Sequence, residues 1–114
     1  MDLLVVYITV GSAEEGERLA STLVEEKLAA CVNRLGGIRS TYAWEGKIQT
    51  DQEELLIVKT STAVFDRLEQ RVRELHSYEV PEIIAVPVVC GNQAYLKWVA
   101  ETLGQPDDET PRAR

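Results

Sequence analysis

The chain has 114 residues, enough for one domain with its own core, and its 45% hydrophobic and 27% charged residues are an ordinary globular balance. With 19 acidic and 12 basic residues the net charge is −7, which argues against nucleic-acid and anionic-membrane partners, since both require a basic footprint. A single histidine, His76, and two widely separated cysteines, Cys31 and Cys90, exclude a multi-histidine metal cage and a CxxC zinc site built from one chain.

Leu3 to Val10 is a near-continuous apolar, β-branched run and predicts a central strand buried on both faces. Ser12 and Glu15 then form a capping-box pattern, opening a helix over roughly Ala13 to Lys27 with Leu19, Leu23, Val24 and Leu28 as its apolar stripe. Ala29 to Trp44 reads as a long strand with a bulge at Gly36-Gly37. Glu45-Gly46 is a hairpin turn, and the return strand begins at Lys47-Ile48. That strand is polar from Gln49 to Glu54 and apolar from Leu55 to Val58, so the hairpin has an outer half and a core half.

Ser61 or Thr62 caps a second helix, with Val64, Phe65, Leu68, Val72 and Leu75 along one side. Residues 76–82 form a loop into a fourth strand over Ile83 to Val89, and Pro87 places that strand at a sheet edge, where a missing amide donor costs least. Asn92 caps a third helix reaching Leu103, with Tyr95, Trp98 and Val99 turned inward. Residues 1–103 make one domain, and 104–114, with two prolines and no apolar anchor, read as a flexible tail.

This order is the split βαββαβ arrangement of ferredoxin-like α+β folds with an added C-terminal helix. Helices cover one sheet face. The other presents alternate residues of four strands, several of them apolar, and an uncovered apolar face of several hundred Å² predicts self-association. No apolar run approaches the roughly 18 residues of a membrane span. The first residues have neither a basic n-region nor a small-residue cleavage site, so the expected location is cytoplasmic.

Candidate chemistry is sparse. His76, with Glu79 and Glu82 nearby, has the donor types of a zinc or copper site; the competing reading is a histidine that ends a helix. Cys31 is either a soft thiolate for Cu(I) or a small core residue. Cys90 is the more exposed thiol, and a Cys31–Cys90 disulfide is not expected because their strands lie at opposite sheet edges. Tyr42, Trp44, Glu45 and Lys47 cluster at the hairpin tip, as a pocket wall or as interface packing. Lys59, ending a buried strand, needs a carboxylate or a wet cleft, and Glu82 is the candidate partner. With Tyr78 and Trp44 the pair would form a polar ligand pocket between subunits. The acidic runs Glu14–Glu17, Glu25-Glu26 and Asp51–Glu54 read as solvated faces. No nucleophile with an adjacent base and no phosphate-binding glycine loop is present in the sequence, so the chain is not expected to be an enzyme.

Several segments together resemble the CutA divalent-cation-tolerance family: Val5–Thr9 with Ala13–Leu19, Leu28-Ala29-Ala30-Cys31-Val32-Asn33, Tyr42-Ala43-Trp44-Glu45-Gly46-Lys47-Ile48, Leu56–Thr60, residues 76–83, and Tyr95-Leu96-Lys97-Trp98. The resemblance implies a compact, stable homotrimer similar in architecture to the PII signalling proteins, and a link to tolerance of copper and other divalent metals. Copper ligands proposed in that family include a first-strand cysteine and a histidine pair. This chain carries Ile8 and Leu75-His76 there, and Ser77 in place of the usual proline, so only His76 carries over. A weak copper or zinc site, a PII-like small-ligand trimer and a protein-anchoring scaffold are the readings left open.

Overall fold

The computed structural model describes residues 2–104, and the tail expected beyond Gly104 lies outside the described residues. Strand β1 spans Leu3–Val10, helix α1 Ala13–Glu25, strands β2 and β3 Cys31–Trp44 and Lys47–Ser61, helix α2 Thr62–Leu75, strand β4 Ile83–Pro87, and helix α3 Gln93–Leu103. The four strands form one antiparallel sheet in the order β2-β3-β1-β4. This is the ferredoxin-like α+β arrangement, with the two most apolar strands in the middle and the proline-bearing β4 at an edge.

The core lies between one sheet face and the first two helices. Val6, Ile8 and Val10 of β1 and Leu56 and Val58 of β3 are buried against Leu19 and Leu23 of α1 and Leu68 and Val72 of α2. A second apolar cluster, Leu3, Ala30, Val64, Val99 and Leu103, seats α3 at the other end of the sheet. Val24 and Tyr95, expected to face inward, are exposed instead. α1 and α3 are thus held through narrower stripes, whereas all five expected residues of α2 pack on the core.

Local signals set the helix starts. The Ser12 hydroxyl accepts the Glu15 amide, and the Asn92 side chain accepts the Tyr95 amide at 3.0 Å. At α2 the preceding residue is Ser61, whose side chain makes no cap bond and is buried without a hydrogen-bond partner. The Thr62 amide is instead taken by the Asp2 carbonyl at 2.9 Å, so tertiary structure supplies what the side chain does not.

On the uncovered face the register aligns two rows, each mixing apolar with polar side chains. Asn33, Ile57, Tyr7 and Ile84 form one; Cys31, Lys59, Val5 and Val86 form the next. Beyond them the β2–β3 hairpin continues as a two-stranded ribbon, and the molecule measures 51 × 28 × 22 Å. The register slips between Leu35 and Ile38, where Gly37 has φ 74°. The ribbon closes through Glu45 (φ 51°) and Gly46 (φ 78°), the left-handed pair a tight hairpin turn requires.

Candidate functional site

The most ordered polar structure lies where β1 ends, α1 begins and the loop after α2 crosses over them. Glu15 was expected to complete a capping box in solvent. Its carboxylate is buried and accepts the Ser77 amide at 2.7 Å and the Ser77 hydroxyl at 3.0 Å. The Gly11 amide donates at 3.4 Å to the same oxygen, Oε1, that accepts the Ser77 hydroxyl. Burial pushes the Glu15 carboxyl up, but the two Ser77 bonds, His76 and the Gly11 amide outweigh it and hold the group below its usual range. Ser77 thus gives two donors, one an amide that a proline at this position would lack.

His76 caps the C-terminus of α2 with its ring fully buried. Nε2 lies 2.8 Å from the Thr9 carbonyl, and Nδ1 accepts the Tyr78 amide at 3.0 Å. Those partners require the neutral tautomer with its proton on Nε2. The carboxylate beside the ring is Glu15, 3.5 Å from Nδ1, rather than Glu79 or Glu82. Both ring nitrogens are engaged by backbone, and Ile8 and Leu75 carry no donor atoms, so these positions do not fit a copper ion. Within the chain the His76 ring ties the end of α2 to the end of β1, which is the competing reading of this residue. Among the described residues no group of three or more histidine, cysteine, aspartate or glutamate side chains is placed to hold a metal.

Two further glutamates are drawn in from the supposedly solvated Asp51–Glu54 run. Glu54 forms a two-pronged pair with Arg34 at 2.9 and 3.2 Å, and Arg34 also donates to the Ala13 carbonyl at 2.9 Å. Gly16 makes room for that carboxylate: a Cβ there would lie 1.7 Å from Glu54 Oε2. Glu53, on the opposite sheet face, accepts the Tyr78 hydroxyl at 2.8 Å. Burial first, and then the Glu53 bond, push the Tyr78 phenol up to about 12. A cavity of about 260 Å³ lies alongside, bordered by Gly11, Ser12, Gly36, Gly37 and Glu53.

The six residues assigned to a ligand pocket are only partly gathered within one chain. Tyr42 donates to Asp51, two positions from the Glu53 that binds Tyr78, so both phenols meet carboxylates on the same face of β3. Trp44 and Glu45 follow at the exposed tip of the ribbon. Lys59 does not join them. It lies six residues along β3 from Glu53, roughly 20 Å away. Its ammonium donates to the Asn33 side chain rather than to Glu82. Lys59 pairs with Val5, whereas Glu82 precedes the residue that pairs with Ile8, and β1 stands between them. Within one chain, strand register, invisible in the one-dimensional pattern, keeps the two charges apart.

Cys31 is half-buried and Cys90 exposed, both as free thiols. β2, which Cys31 opens, and β4 are at opposite edges as expected, but β4 ends at Pro87 and Cys90 lies beyond it. The segment after β4 nevertheless turns back, so that Cys90 borders a cavity of about 220 Å³ with Lys59, Tyr95 and Val99. The Tyr95 phenol, raised by burial, also interacts with the Cys31 thiol.

The whole described region is shared with known proteins. Residues 4–102 match the model of the "CutA1 divalent ion tolerance protein" family. The divalent-cation tolerance protein CutA of Thermus thermophilus is 52% identical over 100 residues, 88% of this chain and 97% of that protein. The chloroplastic CutA 1 of Oryza sativa is 54% identical over 96 residues, 84% of this chain but 54% of its own length. The chain thus spans about half the length of the plant relatives it matches. The crystal structure of CutA1 from Oryza sativa superposes with a TM-score of 0.89 at 48% identity, covering 95% of this chain and 97% of that one. Sequence, fold and coverage agree, and the chain belongs to the CutA1 divalent ion tolerance family.

Proposed function

We propose that the chain acts as a homotrimer in tolerance of, or response to, divalent metals, copper among them, contacting metal weakly or indirectly. The observation that carries this reading is the family match over residues 4–102. The indirect form is favoured because the ring nitrogens of His76 are engaged by the Thr9 carbonyl and the Tyr78 amide. Self-association is supported by the uncovered sheet face, where Leu35, Ile84 and Val86 are exposed, and by the exposed Trp44 at the ribbon tip. No step of catalysis is assigned, and the cytosol is the proposed location. Among the described residues no helix is long and apolar enough to cross a membrane.

A second reading, a PII-like trimer binding a small ligand in clefts between subunits, draws on the exposed Tyr42, Trp44 and Tyr78 at the ribbon end. Light scattering tests assembly directly: a mass of three chains is expected, and a monomer at micromolar concentration refutes it. Calorimetry with Cu(II), Cu(I) and Zn(II), on wild type and on His76→Ala, tests metal contact. Binding tighter than micromolar and lost in His76→Ala would overturn the indirect reading. Copper sensitivity of cells deprived of the protein tests tolerance itself, and unchanged growth on copper counts against it.

A further inference from the structure

The open sheet face carries opposite charges at separate places. Alternation along β3 puts Asp51, Glu53, Ile57 and Lys59 on that face. Glu53 lies at the root of the ribbon and is only 9% exposed. Its Oε2 accepts the Tyr78 hydroxyl at 2.8 Å. Asp51, one step further out on the same face, is exposed and accepts the Tyr42 hydroxyl. Lys59 stands at the other end, between Cys31 and Val5 in register, and donates to the Asn33 side chain. Among the described residues no basic side chain meets Asp51 or Glu53, and no carboxylate meets Lys59. The face around these charges is apolar, with Val5, Ile57, Ile84 and Val86, the last two exposed.

Covering that face removes apolar surface from water and so favours association. The same cover dries Lys59, and an ammonium dried without a counter-charge opposes association. Glu53 of the same chain cannot supply it, being six residues, roughly 20 Å, away along one extended strand. We propose that the cover is a second copy of the chain, placed so that the Glu53 carboxylate of one copy meets the Lys59 ammonium of the other. The inference rests on the self-association reading above and adds the contact that sets its register. Tyr78 holds Oε2 of Glu53 and leaves Oε1 for the ammonium, while the Asn33 amide aims the lysine without neutralising it. Glu53 is the partner rather than Asp51 because it already lies buried next to the apolar rows, where a charge pair is least screened by salt.

Two measurements on the full chain test this. The first needs no variant: a carbodiimide joins a carboxylate to an amine only where the two touch, and peptide mapping by mass spectrometry identifies the joined residues. A covalent dimer bearing a Glu53–Lys59 link is expected. A map in which Lys59 is joined to another carboxylate, Glu82 included, and not to Glu53 overturns the proposal. The second is light scattering at the urea concentration that half dissociates the wild type, on Glu53→Gln, Lys59→Met and the double variant. Gln keeps an acceptor for the Tyr78 hydroxyl, and Met keeps the lysine stem. Each single variant leaves one dried charge unpaired and should weaken assembly about tenfold or more, whereas the double variant should return to within about threefold of the wild type. Singles that assemble like the wild type overturn the pairing, as does a double variant whose loss is the product of the two single losses. A wild type that is a monomer at micromolar concentration removes the self-association reading itself, and the pairing with it.

Discussion

The two halves of the β2–β3 hairpin use the same strand pairing and meet opposite fates. In the inner half Leu56 and Val58 are fully buried beneath two helices. In the outer half no layer covers the ribbon, and Ile48 is 75% exposed. The boundary is marked by the bulge at Gly36-Gly37 and by the Arg34–Glu54 pair on the helix side. Backbone pairing alone therefore does not stabilise a sheet; what differs is the apolar area removed from water. A ribbon this long, with exposed aromatics and no cover, is the part of the molecule with most to gain from the proposed assembly.

Substitutions along the hairpin should separate its halves by size of effect. Leu56→Ala, at a site with no exposure, should cost about 2–5 kcal/mol in chemical denaturation. A cost near zero would mean that the inner half is as loosely held as the outer one. Gly16→Ala tests the boundary. The new methyl displaces Glu54 from Arg34, and a loss of about 1–3 kcal/mol is expected, largely absent in a Glu54→Ala background where the clash is gone.

Glu15→Gln keeps the shape and removes the charge that the Ser77 donors favour, with an expected cost of about 1–2 kcal/mol at neutral pH. Because the folded carboxyl titrates below its ordinary value of 4.5, its contribution is complete above that pH and is lost as pH falls through the lower folded value. Wild-type stability should therefore drop more steeply than that of the variant in acid, and parallel curves would remove Glu15 from the account. Tyr78 has the opposite sign. Its phenol is raised from 10.0 to about 12, so its contribution holds below pH 10.0 and disappears as pH rises through about 12. Absorbance titration of Tyr78→Phe should show one late-ionising phenol fewer than wild type.

The smallest effect is expected on the outer half. Ile48→Ala should change the stability of a single chain by less than about 0.5 kcal/mol. In the assembled protein the same substitution should lower stability more at low than at high protein concentration, and concentration-independent unfolding would place Ile48 outside any interface.

Local signals were legible in the sequence because their causes are local. The apolar run Leu3–Val10, the Ser12 and Asn92 caps, the glycine bulge, the Glu45-Gly46 turn and the edge position implied by Pro87 each act within a few residues. Cys90 is the more exposed thiol, as its place near a strand end predicts. Glu15, Glu53 and Glu54 were misread as solvated because an isolated carboxylate stays in water, and their partners Ser77, Tyr78 and Arg34 are 62, 25 and 20 residues away. The one available sequence signal was Gly16, a helix-interior glycine that makes room for a neighbour.

By itself the sequence determined the order of elements, most of the buried helix positions and the family, all of which depend on residue type and short-range spacing. Only the tertiary structure decided which charges meet. Within the chain, antiparallel register sets Lys59 beside Asn33 and away from Glu82, and the crossing of the loop after α2 over β1 makes the sole histidine a brace between α2 and β1. Hydrogen bonds act over about 3 Å, so a mismatch of one residue along a strand is enough to exchange every partner.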